Sequence, residues 1–120
     1  MDDGIEIERG ETRGKTVVLR VRGRLDAKTA LRLLERAMPF AGMGRSLVLT
    51  LSGITFMGSS GIGVLLAIAQ AFQDRKGSLR LVAPSAAVES VVKLLNLEPF
   101  LKIDASEDAA HSAITGQASA

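Results

Sequence analysis

Two apolar periods take turns along this chain, and their alternation narrows its architecture more than any single motif does. Ile5 and Ile7 alternate with Glu6 and Glu8, and Val17, Leu19 and Val21 alternate with Val18, Arg20 and Arg22. A period of two sends successive side chains to opposite faces, so the second segment predicts a strand with one buried and one largely wet face. The period then changes. Ala27, Ala30, Leu31, Leu34 and Met38 recur at helical spacing behind Asp26, whose carboxylate suits the first amides of a helix. Pro39 disfavours helix at Met38, so this helix is expected to stop about there.

The same exchange of periods continues to the end. Leu47 to Leu51 is a β-rich apolar run, followed by Ile54-Thr55-Phe56-Met57 and the small-residue segment Gly58-Ser59-Ser60-Gly61-Ile62-Gly63. Leu65, Ile68, Ala69 and Phe72 then form a helical stripe that Gly77 is expected to close. Leu79 to Ala83 reads as a strand, Pro84-Ser85 as the opening of a helix bearing Val88, Val91, Val92 and Leu95, and Leu101 to Ile103 as a last short strand. Asp104 and Glu107 have capping-box spacing for a final helix using Ala110, Ala113 and Ile114, with Thr115 to Ala120 as a frayed, flexible tail. The order is β-β-α-β-α-β-α-β-α. Helices between successive strands imply right-handed parallel crossovers, and the first two strands can pair antiparallel. The expectation is one α/β domain over residues 1–120, its core about 4–114, with a mixed sheet and helices mainly on one face.

Composition removes much chemistry. With no Cys, disulfides and thiolate catalysis are excluded, and one His, His111, cannot build a multi-histidine metal site. Four Phe and no Trp or Tyr make base stacking a poor expectation, so no direct nucleic-acid partner is expected. Charge is uneven along the chain: eight Lys or Arg face two acids between Arg13 and Arg36, whereas four acids face Lys102 alone from Asn96 onward. Such a basic region is an ordinary solvated face or a guide for an acidic partner. Arg20 and Arg22 are expected to coat the wet sheet face, His111 to lie at the surface, and Phe56 and Met57 to join the core. The acidic start lacks an apolar signal, and the run from Gly61 to Ala69 is too short for a bilayer, so a cytoplasmic protein without membrane insertion is expected.

Gly58 to Gly63 lies where a strand-rich region meets an amphipathic helix. A helix start exposes unpaired amides; a serine can cap them, and a phosphoserine would present a dianion to them. On spacing alone, capping by Ser59 or Ser60 is the simpler reading. Glycines early in a helix cost about 1 kcal/mol each against alanine, a cost that close helix-to-strand approach or partner access would explain. A phosphate-binding Gly-Lys-Ser/Thr is absent, since no lysine occurs between Lys28 and Lys76. Ile62 also breaks the Gly-x-Ser-x-Gly pattern of a nucleophile elbow, and the glycine spacing misses the dinucleotide fingerprint. No catalysis, metal or cofactor is expected.

The run from Leu47 to Leu66, centred on Ser52-Gly53-Ile54-Thr55-Phe56-Met57-Gly58-Ser59-Ser60-Gly61, resembles the core of STAS domains, and most of all bacterial anti-sigma-factor antagonists. Gly23-Arg24-Leu25-Asp26 resembles their Gly-x-Leu-Asp turn, and the run from Leu94 to Ile103 resembles their last helix and strand. The resemblance implies a regulatory protein-binding module that engages an anti-sigma factor, itself a serine kinase, and so controls transcription. It also implies phosphorylation of Ser59, reversal by a serine phosphatase, and contact through Asp26, Met57, Gly58, Ser59, Ser60, Gly61 and Ile62. One position departs: Gly58 stands where the family pattern has Asp. Two other readings stay open beside this one, a STAS subunit of a signalling or lipid-transport assembly without phosphorylation, and a nucleotide-binding module.

Overall fold

The structure, a computed structural model, describes residues 4–119. Strands β1 (Ile5–Arg9), β2 (Thr16–Leu25), β3 (Ser46–Met57), β4 (Leu79–Val82) and β5 (Lys102–Asp104) form one sheet in the order β1-β2-β3-β4-β5. Only the β1–β2 pair is antiparallel; the others are parallel. Helices α1 (Ala27–Gly42), α2 (Ser59–Asp74) and α3 (Ala86–Leu94) each connect adjacent parallel strands, and α4 (Glu107–Ser119) follows β5. Crossovers that all advance in the same direction with the usual right hand place their helices on one face, and α1 to α3 share one core here. They bury Leu19, Leu25, Leu49 and Leu81 of the sheet beneath Leu33, Leu65, Ile68, Phe72, Val88 and Val92. None of these helices is long and apolar enough to cross a membrane among the described residues.

Helix α1 starts as expected and ends later. Asp26 Oδ1 accepts from the amides of Lys28 and Thr29, both at 3.1 Å, while the Asp26 amide donates to Thr29 Oγ1 at 2.9 Å. The helix then continues through Pro39 to Gly42 rather than stopping at Met38. Pro39 and Glu35, whose carbonyl loses its partner there, are both on the exposed side, where water can replace the missing bond. Burial of Ala37 and Ala41 on the other side carries the helix across. The buried stripe is also rotated from the expected one, running through Ala30, Leu33, Ala37 and Ala41 and leaving Leu31 57 % exposed.

Three helices end in the same left-handed turn with different residues. Gly44, Lys76 and Asn96 take φ of 70°, 62° and 55° after α1, α2 and α3, and the next residue donates back to Phe40, Phe72 and Val92 respectively. The turn expected of Gly77 therefore belongs to Lys76. Gly77 is needed for another reason: a Cβ there would collide with the Arg45 carbonyl. A non-glycine residue in this conformation is strained, so Lys76→Gly should raise stability by about 0.5–1 kcal/mol, read as a higher urea midpoint.

The second face of the sheet is covered by α4. Val18, Val48 and Val82 pack with Ala110 and Ile114, so the face of β2 expected to be wet is dry at Val18. Ser106, not Asp104, caps this helix, its Oγ accepting from the Ala109 amide at 3.1 Å. Asp104 instead accepts two bonds from Arg80 at 2.7 and 2.9 Å. Glu107 takes Arg20 Nε and Nη2 at 2.9 and 2.8 Å and the Thr50 hydroxyl at 2.6 Å. Asp108 meets Arg13 at 3.1 Å, an exposed pair of little energetic weight. The acidic end of the chain thus neutralises part of its basic region from within. The helix reaches Ser119, beyond the expected start of a tail at Thr115, and Ala120 lies outside the described residues.

Candidate functional site

Parallel pairing brings the two motifs together. Leu25 is in register with Met57 at the carboxyl ends of β2 and β3, and the Gly58 amide donates to the Leu25 carbonyl at 2.9 Å. The turn at Asp26 and the segment Gly58–Gly63 therefore share one end of the sheet, the end where open α/β sheets place their sites. Asp26 is held there by the capping bonds already described. The Thr29 amide above all, joined by the Thr29 hydroxyl, the Lys28 amide and the charge of Arg24, holds its carboxyl below the usual range.

Gly58, not a serine, is the N-cap of α2, with φ −92° and ψ 178°, and no side chain caps the helix. The capping role expected of Ser59 or Ser60 is thus overturned. A glycine supplies the extended backbone but no oxygen, and the serines follow as the first two helical residues. Both are exposed, and neither hydroxyl makes a hydrogen bond among the described residues. Their oxygens are open to solvent.

The other residues of the segment divide by depth. Gly61 is buried, and a Cβ there would meet Met57 Sδ at 2.7 Å, Leu25 Cβ at 2.9 Å and the Leu25 carbonyl at 3.1 Å. Met57 is only 8 % exposed, and Ile62 is half-buried against the core. Gly63 is exposed, with nothing within 4 Å of an added Cβ. Close packing explains Gly61 and does not explain Gly63. Ser59, Ser60 and Gly63 are exposed, and Gly58 is half-buried like Ile62.

Two neighbours escaped the sequence reading. Phe56, expected in the core, is 39 % exposed, and the Arg24 guanidinium carbon lies 4.3 Å from its ring centroid. Arg24 and Phe56 are register partners across the parallel pair, a relation no spacing within either motif reveals. At the opposite end of the molecule, His111 is half-buried on α4; burial, and then the charge of Arg13, push its pKa down.

The STAS domain family model matches residues 9–110. An anti-sigma F factor antagonist of Lysinibacillus sphaericus is 32 % identical over 104 residues, which cover 85 % of this chain and 88 % of that protein. The crystal structure of an anti-sigma factor antagonist from Mycobacterium paratuberculosis overlays with a TM-score of 0.83 at 25 % identity, covering 96 % of this chain and 97 % of that one. The anti-sigma factor antagonist SpoIIAA in its unphosphorylated form shares the fold, with a TM-score of 0.77 at 24 % identity over 92 % of this chain and 97 % of that one.

Proposed function

The chain belongs to the STAS domain family, and from that membership we propose that it is an anti-sigma-factor antagonist, a non-catalytic cytoplasmic module that binds an anti-sigma factor and so controls transcription. The observation that carries the reading is the exposed, unbonded Ser59 hydroxyl at the junction of two strand ends and a helix. In this reading the anti-sigma factor is also a serine kinase. Phosphoryl transfer from a nucleoside triphosphate breaks its terminal anhydride bond, forms the Ser59 phosphoester, and releases the nucleoside diphosphate and the hydroxyl proton. The modified chain gains ~1.5 to 2 negative charges where a partner must approach closely, so the complex is lost, and a phosphatase restores it. The contact surface comprises the Asp26 turn, Gly58, Ser59 and Ser60. Ile62, half-buried like Gly58, belongs to its edge, while the buried Met57 and Gly61 support it from beneath.

Isolation of the native complex followed by mass spectrometry of Ser59 tests the assignment. With that partner in hand, Ser59→Asp should weaken binding about tenfold or more, while Ser59→Ala keeps it. Equal affinities for the two variants would sink the switch. Gly58 favours a second reading, in which a STAS subunit docks in the same way without phosphorylation, because the carboxylate of the family pattern is missing beside the serine. An unmodified Ser59 in the active native complex would establish that one.

A further inference from the structure

We propose that Arg24 is the residue that holds the phosphate once Ser59 is modified, releasing the Phe56 ring to do so. The inference deepens the preceding reading and rests on Ser59 as the modified residue. Arg24 occupies the position that the Gly-x-Leu-Asp pattern leaves open, and its guanidinium lies over Phe56 at 4.3 Å from the centroid. Among the described residues it makes no ion pair. The carboxylate nearest in sequence, that of Asp26, feels the charge of Arg24, but its hydrogen bonds come from the Lys28 and Thr29 amides and the Thr29 hydroxyl.

Position 58 decides what Arg24 can meet. The edge of the Phe56 ring lies 3.3 Å from where a Gly58 Cβ would be, and the Arg24 guanidinium lies 4.3 Å from the centroid of the same ring, so both border one side chain. An aspartate there would place a carboxylate beside the ring that Arg24 covers; glycine adds no charge there. Beside the Asp26 carboxylate, whose bonds go elsewhere, the new anion offered to Arg24 is the one that modification adds to the next residue. A cation over an exposed ring is weakly held, whereas a phosphate offers a planar guanidinium two oxygens and a full opposite charge. Arg24 can therefore exchange the ring for the phosphate. Modification would then change the docking surface twice, by cancelling its cation and by baring Phe56.

The test uses the full chain with phosphoserine installed at position 59 during synthesis, so it needs no kinase. Phosphorus NMR follows the second ionisation of the phosphate in the otherwise native chain and with Arg24→Gln or Arg24→Lys. The native arginine should lower that pKa by about half a unit or more relative to Arg24→Gln, with Arg24→Lys intermediate, and ~0.5 M salt should shrink the difference. The Phe56 ring protons should shift on phosphorylation with Arg24 present and stay in place with Arg24→Gln. Equal ionisation in all three proteins, or a ring signal indifferent to the phosphate, overturns the proposal. Absence of Ser59 phosphate from the native protein would instead overturn the function proposed above and leave this measurement unaffected.

Discussion

Gly61→Ala should lower the melting temperature and Gly63→Ala should raise it, although the two glycines lie two residues apart on one helix. An added methyl at 61 enters occupied space, and two of its three neighbours, Leu25 Cβ and the Leu25 carbonyl, belong to the rigid end of β2. Overpacking of this kind costs about 1–3 kcal/mol, and the better helix propensity of alanine returns only about 1 kcal/mol. The same propensity gain at 63 is unopposed, because the new methyl meets nothing within 4 Å. The expected difference between the variants is about 2 kcal/mol, or roughly 6–12 °C in Tm for a domain of this size. A stabilised Gly61→Ala would show that the helix is not pressed against β2 as described. Partner affinity adds a second readout: if Gly63 serves close approach, Gly63→Ala weakens binding while stabilising the free protein.

Glu107→Gln should be a disruptive single-charge change, and its effect should depend on pH. Arg20 above all, helped by the Thr50 hydroxyl, draws the Glu107 carboxyl down from 4.5 to about 2 against the opposing effect of burial. A group with a depressed folded pKa stabilises the fold fully above its ordinary pKa and loses that contribution as pH falls through the folded value. The native chain should therefore lose this contribution between about pH 4.5 and 2, and the variant should have none of it to lose. With a side chain 26 % exposed, solvent screening trims the value of the charge-assisted bonds, leaving about 1–2 kcal/mol at neutral pH. Thermal melts of both proteins at pH 7 and pH 3 check this. A stability gap that stays constant with pH would contradict it.

The strand and helix order was legible because each element repeats a period that one burial decision creates. Asp26 was legible as a cap because its bonds reach only two and three residues ahead. The misplacements share a cause in longer-range contacts. Pro39 looked like a stop until burial of Ala37 and Ala41 outweighed one lost bond on the exposed side. Gly77 looked like the helix terminator, but its requirement comes from the Arg45 carbonyl of a different segment. Asp104 had the spacing of a cap, yet a neighbouring strand supplies Arg80 as a stronger partner.

The candidate site was legible as a segment and not as a surface. Its residues, its exclusion from known enzyme loops and its family likeness all follow from local order along the chain. Local order also determined the α/β class, and composition the absence of cysteine chemistry. Which of two neighbouring glycines is structural, which serine oxygens stand free, and that Arg24 covers Phe56 were decided by the tertiary structure alone. The physical reason is that these properties depend on what lies opposite a residue across the parallel β2–β3 pair, about thirty positions away in sequence. The uneven charge has the same origin. A basic stretch and an acidic end are visible in the sequence, but only folding shows that Glu107 and Arg20 answer each other, while Arg24 is left to face outward.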